Sequence, residues 1–560
     1  MAYLSGRQAI MEMFCREGVQ FIFGNPGTTE LGFVDMLQDY PQLRYIMCLH
    51  EGVAMGAAHM YANASGKTGV VNLHVAPGLG NSLGMLYNAA VGKMPLVVTA
   101  GQQDSRMVVR EPILSYDLVS MAKPLVKWAV QVQHIEDIPL IFSRAFKVAQ
   151  DAPRGPVFIA LPGNIIDQEA DLHLPPPSAA YRRNRPDPEG VSAAAQLLAQ
   201  AQHPVIICGD GVAASQAQAE LVQVAEQLGA PVWNTVLFGA LNFPNMHPQY
   251  RGELPGEHAA IRRVLADADV VLAVGAELFD EIFYTPEAPL PEGCALIQVD
   301  NTAWSLGKNI TPTLSLLADP KLALQELSEV VVPSLSAAAQ QQAARRRGAM
   351  AAQKHQERER QERRIAQYHD TVPIAPARLM GALRDALPAN TVFYNEAITA
   401  TGEMLRTIPL DMPGSLFGNH GGGIGQGLPG ALGVKLANPD RPVVALVGDG
   451  SSMYTIQSLW TAAHHHIPVI YVILSNRSYR ILKLNMNRYR RGLDIPAGRP
   501  YPHMDLSQPT LDFVTIAQGM GVAGKRVTQP TALKLAIEEA LALGGPYVLE
   551  VVTEGSVPAQ

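Results

Sequence analysis

A short, unbroken apolar run followed by an Ala-rich stretch of helical length recurs along most of this chain. FIFG (21–24), GVVNLHV (69–75), PLVVTAG (95–101), PVFIALP (156–162), PVIICGDG (204–211), DVVLAVGAE (269–277), ALIQVD (295–300), PVVALVGDG (442–450) and PVIYVILSN (468–476) are instances. A strand that alternates apolar and polar residues keeps one face in water, whereas one that is apolar throughout must be covered on both faces. Strand–helix alternation of this kind predicts parallel sheets covered by helices, an α/β fold. At 560 residues the chain outgrows a single core, so three domains of roughly 150–200 residues are expected.

Two stretches break the alternation. LPPPSAAYRRNRPDPEG (174–190) reads as a Pro- and Arg-rich linker. Residues 334–368 are rich in Ala, Gln, Arg and Glu with almost no apolar stripe, which predicts a solvated helical connector. Three α/β blocks result, at 1–175, 190–333 and 370–555. The glutamates of the connector and a net charge of −7 argue against a nucleic-acid-binding arm or attraction to anionic membranes. Cys15, Cys48, Cys208 and Cys294 are scattered without a CxxC pair, so neither a disulfide framework nor a zinc site is expected. No stretch approaches the ~20 apolar residues of a membrane helix, and the N-terminus lacks the apolar core of a signal peptide. A soluble, cytoplasmic protein is the expectation.

The chemistry concentrates where strands end. PVVALVGDGS leads through Gly448, Asp449, Gly450 and Ser451 into a helix, and the next apolar run ends at Ser475-Asn476-Arg477-Ser478. Parallel strands put their carboxyl ends on one edge, where ligands bind, so Asp449 and Asn476 should meet there. A carboxylate, an amide oxygen and a hydroxyl or carbonyl are hard donors suited to Mg²⁺, which phosphates commonly complete. Gly448 and Gly450 would let backbone approach a diphosphate, and Ser451 with the helix N-terminus would donate to it. Gly209-Asp210-Gly211 looks alike, but its following run offers only the internal Asn234, so it is read as turn chemistry. His464, His465 and His466 point about 100° apart on a helix and cannot converge on one ion.

GDG followed by Asn after a strand resembles the thiamine-diphosphate signature, with Ser475 in place of the first of two asparagines. Activating that cofactor requires a carboxyl group beside its aminopyrimidine ring. Glu51, opening an Ala/Gly-rich helix after YIMCL, is the candidate, although an acid there also suits the helix dipole. Together with FGNPGTTEL (23–31), NLHVAPGLGN (72–81), VTAGQQ (98–103), KPLVKW (123–128), YNEA (394–397), LWTAA (459–463) and NRSY (476–479), these motifs identify a resemblance along the whole chain. The chain is similar to the thiamine-diphosphate-dependent decarboxylase and carboligase superfamily, and most similar to its benzoylformate decarboxylase branch.

The resemblance implies pyrimidine-binding, middle and diphosphate-binding domains. It also implies a homotetramer (dimer of dimers) in which Glu51 acts across a subunit interface. Asp449, Asn476 and Ser478 would hold Mg²⁺, and Ser451, Tyr479 and Thr399 would line the diphosphate. In NHGGGIGQGLP, Ile424 would bend thiamine diphosphate and the Gly422 carbonyl would accept from its aminopyrimidine. Thr28, readable as a helix cap, would contact the substrate carboxylate. His74, entering a glycine-rich loop, would move protons on the bound intermediate. The family's second histidine falls at Ile282, which makes His420 the substitute donor. Arg480, Lys483, Arg488, Arg490 and Arg491 form either a solvated basic helix or a lid recruiting an anionic substrate. The implied reaction is non-oxidative decarboxylation of a small 2-oxo acid to an aldehyde through an enamine. The alternatives are a carboligase or 2-hydroxyacyl lyase, in which the enamine attacks a second carbonyl, and a flavin-containing oxidase, for which residues 190–333 show no required feature.

Overall fold

The computed structural model describes residues 2–176 and 181–557; residues 177–180 of the expected linker lie outside them. Three six-stranded sheets, each parallel throughout, follow one another along the chain. With the six strands of each sheet numbered by position in the chain, the first and third sheets share the order 2-1-3-4-6-5, and the middle sheet has the order 3-2-1-4-5-6. Among the described residues, one strand pair is antiparallel, Ala2–Ser5 with Glu169–Leu172. The α/β expectation holds. Strands such as Val157–Pro162 and Val469–Ser475 are buried along their whole length because helices cover both faces.

The first and third sheet units share one continuous apolar core. Its centre is the contact between the helices Glu51–Ser65 and Gly427–Ala437. Both are buried almost all round rather than along one stripe, which explains their Ala- and Gly-rich sequences. At Gly433 an added Cβ would lie 2.0 Å from the carbonyl oxygen of Ala57, so only glycine lets the backbones approach this closely.

The connector differs in part from expectation. Ala337–Gln367 is one continuous helix of 31 residues that is largely exposed, as expected, but docked at a few points. Ala343, Met350, Gln361 and Ile365 are buried. Arg346 donates to the carbonyls of Gly229 and Leu228 in the middle unit. Gln361 donates to Glu403 and Thr407, and Arg364 pairs with Glu403, in the third unit. The anchors are few and widely spaced, so the composition alone reads as polar.

Candidate active site

In the third sheet the strands Val443–Gly448 and Val469–Ser475 pair in parallel, with Gly448 opposite Leu474. That register brings their carboxyl ends together. Asp449, 3% exposed, accepts the Gly450 N–H at 2.8 Å through Oδ1 and the Arg477 N–H through Oδ2. Burial pushes its pKa up, and backbone N–H groups of residues 450 and 476–478 oppose the shift. Asn476 Oδ1 accepts from Ser478 N–H at 3.0 Å. The Ser478 hydroxyl donates to Met504 O at 3.1 Å, so the Ser478 carbonyl, which has a second lone pair beyond its bond to Arg480 N–H, is the freer donor. A carboxylate, an amide oxygen and a carbonyl on two adjacent strand-end turns match the hard-oxygen preference of a small divalent cation. Among the described residues no group of three or more His, Cys, Asp or Glu could hold a metal ion, as fits a site with a single acid. The Tyr479 ring lies against the first of these turns: a Cβ on Gly450 would meet it at 2.4 Å, so a side chain there would have to displace the ring.

The segment Asn419–Gln426 runs from the strand Leu416–Gly418 to the helix Gly427–Ala437. Gly422 and Gly425 hold φ values of +75° and +96°. Gly422 is exposed and Ile424 half-buried, so both remain open to a ligand. Ser451 behaves differently from expectation: its hydroxyl donates to Glu396 at 2.6 Å and accepts from Gly425 N–H at 3.1 Å. Its one hydrogen is therefore used inside the protein. Thr399 sits in the short turn Ile398–Ala400 that follows the strand Val392–Glu396.

His420 turns away from the groove. Its buried ring stacks on His59 at 5.6 Å, and Nε2 lies 3.4 Å from Asp210 Oδ2. Burial lowers its pKa against the pull of Asp210. A ring held this way is a junction between the three units rather than a free proton donor. Asp210 also accepts from Gly239 N–H and from Asn242, the structural role read for Gly209-Asp210-Gly211. At the middle sheet's crossover point Gly211 N–H bonds Gly275 O at 2.9 Å, which joins the two strand ends directly.

In the first unit Glu51 opens its helix and is 7% exposed. Asn81 donates to its Oε2 at 3.0 Å and Asn25 to its Oε1 at 3.4 Å. His74 ends the strand Gly69–Leu73 and caps the helix Val75–Val91. The expected glycine-rich loop is thus the first turns of a helix, where Pro77 costs little because the first four N–H groups lack helical partners anyway. His74 Nδ1 lies 2.8 Å from Glu30 Oε2 and 3.2 Å from Thr29 Oγ. Glu30, 1% exposed, also accepts the Gly27 N–H and the Thr29 hydroxyl. With the Thr29 hydrogen given to Glu30, Nδ1 must carry the hydrogen and Nε2 is left as the reactive nitrogen. Thr28 is not a cap. It begins the turn Thr28–Glu30, which Gly27 precedes, and it is exposed; the hydroxyl that reaches His74 is Thr29's.

Ile282 is 51% exposed on its loop. A histidine does pack there from elsewhere in the chain: His258 Nε2 meets Phe279 O at 2.9 Å and its Nδ1 lies 3.5 Å from Glu281. The basic segment is the helix Arg480–Gly492; four of its five basic residues have partners, and Arg491 is exposed. Arg488 pairs with Glu257 and lies 4.5 Å over the Phe283 ring. The buried Arg490 donates to the Arg499 and Pro500 carbonyls, Lys483 covers Tyr501, and Arg480 bonds Ser556 O. His465 accepts the Met47 N–H at 2.8 Å while His464 stacks on Trp460, so the histidine run is structural. Glu30, Thr29, Asn25, Asn81 and Glu396 were not singled out from sequence. Each looked like an ordinary turn or strand-end polar residue until the sheet order brought its partners together.

The chain matches three parts of one family: the thiamine pyrophosphate enzyme N-terminal TPP binding domain at 4–121, the central domain at 191–327 and the C-terminal TPP binding domain at 398–551. It is 33% identical over 554 residues to benzoylformate decarboxylase of Pseudomonas aeruginosa, covering 98% of this chain and 99% of that protein. A probable acetolactate synthase large subunit of Methanocaldococcus jannaschii is 29% identical, with 98% and 92% covered. In structure, the chain is similar to a thiamine diphosphate-dependent 4-hydroxybenzoylformate decarboxylase of Rhodococcus jostii RHA1, at TM-score 0.86 and 30% identity over 99% of this chain and 100% of that one. The chain therefore belongs to the thiamine pyrophosphate enzyme family and is a thiamine-diphosphate-dependent enzyme.

Proposed function

We propose that this enzyme decarboxylates a 2-oxo acid of the benzoylformate type, without oxidation, to the corresponding aldehyde. The observation that carries the reading is the buried Glu30 carboxylate holding His74 by Nδ1, which leaves Nε2 for proton transfer. When bound, thiamine diphosphate supplies the electron sink for the carbanion left by loss of CO₂. Asp449, Asn476 and the Ser478 carbonyl would hold Mg²⁺. Gly448, Gly450, Tyr479 and Thr399 would border the diphosphate, and Ile424 with the Gly422 carbonyl the aminopyrimidine. Glu51, kept in place by Asn25 and Asn81, is the acid for that ring. The hydroxyl of Thr28 is exposed and available to a substrate carboxylate, and His74 Nε2 then delivers or removes the proton on the product side.

The three sheet units serve as pyrimidine-binding, middle and diphosphate-binding domains (1–175, 190–333 and 370–555). The working assembly is a homotetramer, a dimer of dimers, with each cofactor between the first domain of one subunit and the third of its partner. Four unpaired cysteines support a reducing, cytoplasmic setting. Among the described residues no helix is long and apolar enough to cross a membrane.

A second reading, carboligation as in acetolactate synthases, is favoured by one observation: Ile282 stands where a second proton-handling histidine is expected. The test is CO₂ release and aldehyde formation from aromatic, aliphatic and dicarboxylic 2-oxo acids with thiamine diphosphate and Mg²⁺, repeated with added aldehyde. Aldehyde from an aromatic 2-oxo acid supports decarboxylation; hydroxyketone as the sole product supports the second reading.

A further inference from the structure

The strand Val392–Glu396 lies where the strand order of the third sheet reverses, between the strands Leu416–Gly418 and Val443–Gly448. Connections leaving this point diverge, and the crevice between them is where an open parallel sheet binds its ligand. Glu396 ends that strand and is 4% exposed. Its Oε2 accepts the Ser451 hydroxyl at 2.6 Å and the Gly427 N–H at 2.8 Å, and its Oε1 accepts the Gln426 N–H at 3.0 Å. Asn419 points an amide at the same Oε1 from 3.5 Å. Every group facing this carboxylate is a donor, and the N-terminus of the helix Gly427–Ala437 adds a favourable dipole. These groups belong to two separate segments. Gln426, Gly427 and Asn419 carry the loop with Gly422 and Ile424, whereas Ser451 belongs to the turn that begins at Asp449. Ser451 also accepts from Gly425 N–H, which closes the connection.

We propose that Glu396 is a positioning residue: it ties the Asn419–Gln426 loop to the Asp449–Ser452 turn and so fixes where Gly422 and Ile424 stand relative to the diphosphate site. This rests on the reading of Gly422 and Ile424 as cofactor-facing. The physical basis is that buried donors lose heavily when left without an acceptor. In Glu396→Gln one of the two oxygens becomes an NH₂ group, and at least one of Ser451, Gln426 and Gly427 then faces a donor.

The test uses the full chain with Mg²⁺. Thiamine diphosphate affinity is measured by tryptophan quenching, kcat and substrate KM by turnover, and the folded fraction by denaturant unfolding at the assay temperature. Glu396→Gln is expected to weaken cofactor affinity and lower kcat, each about tenfold or more, with substrate KM within about threefold and the folded fraction unchanged. Glu396→Asp, which keeps the charge, should recover part of the loss. The double variant Glu396→Gln/Ser451→Ala should be no worse than Glu396→Gln alone, because the two residues act as one tie. Wild-type affinity and kcat in Glu396→Gln, losses that only follow the folded fraction, or additive losses in the double variant would each overturn the inference. Ile424→Ala separates the two claims. If it is impaired while Glu396→Gln is not, only the tie fails; if Ile424→Ala binds and turns over normally, the reading of the loop fails with it.

Discussion

Glu30 Oε2 lies 2.8 Å from Nδ1 of His74, and the carboxylate is 1% exposed. The pair spans 44 residues of sequence and exists because the strands Phe21–Gly24 and Gly69–Leu73 are neighbours, with Gly24 opposite Asn72. Replacing Glu30 by Ala should free the ring to rotate and to change tautomer. The expected outcome is a fall in kcat of about 10²-fold, the lower end for loss of one general acid–base group, with cofactor affinity retained. Steady-state kinetics read the first, and ¹⁵N chemical shifts of the His74 ring nitrogens report the tautomer directly.

Glu51→Gln keeps the side-chain shape and its contacts to Asn25 and Asn81 in part, but removes the acid. Turnover should drop by about 10³-fold or more while thiamine diphosphate still binds. Calorimetric titration of the variant alongside activity checks both halves, and near-normal turnover would sink the assignment.

Stripping divalent cations with a chelator should abolish activity, and Mg²⁺ with thiamine diphosphate should restore it. Asp449→Ala should prevent restoration at Mg²⁺ concentrations that suffice for the native chain, because the remaining donors are neutral oxygens. Cofactor retention on a desalting column, with and without Mg²⁺, measures this.

Acid should loosen the domain junction. Burial, and then His420, hold His59 well below the ordinary histidine value; burial lowers His420 as well, against Asp210. Glu396 is the other acid nearby, reached through Gln426, which donates to His59 at 2.7 Å. Both histidines have folded pKa values below the unfolded value of 6.5. The unfolded chain therefore takes up protons first, and stability falls as pH drops below about 6.5, by up to about 1.4 kcal/mol per pH unit for each ring. Melting temperature against pH should show this slope, and His59→Gln should flatten it.

Gly433→Ala should destabilise the chain by about 1–3 kcal/mol, the range for overpacking, because its Cβ would strike the Ala57 carbonyl. Backbone cannot swing aside as a flexible side chain can. Denaturant unfolding of the variant measures the loss, with Gly448→Ala, which meets open space, as the control.

The fold class was legible because strands buried on both faces leave a local imprint: Val443–Gly448 reads as a strand with no knowledge of its neighbours. Asp449 and Asn476 were legible for the same reason, since both stand at ends of such strands. What stayed hidden depends on sheet order and on contacts between units. Glu30 and Glu396 are ordinary acids in the sequence and gain meaning only from strands that pair across many residues. His420 was misjudged because Gly422 and Ile424 nearby in sequence are open to a ligand, whereas its ring is drawn between His59 and Asp210. The start of the helix Val75–Val91 was hidden by Pro77, Gly78 and Gly80, residues that usually punctuate loops but are tolerated in a first turn.

The helix Ala337–Gln367 has a consequence for how this chain can be altered. At 31 residues it spans roughly 46 Å and grips the middle unit near one end and the third unit near the other. Its two grips are locked in rotational phase. One residue inserted between Met350 and Gln361 would swing the far grip by about 100°, while seven would return it to within about 20°. A surface connector usually absorbs insertions of any length. This one should accept none without losing a grip, because even the seven residues that restore the phase would carry Gln361 about 10 Å along the axis from its partners.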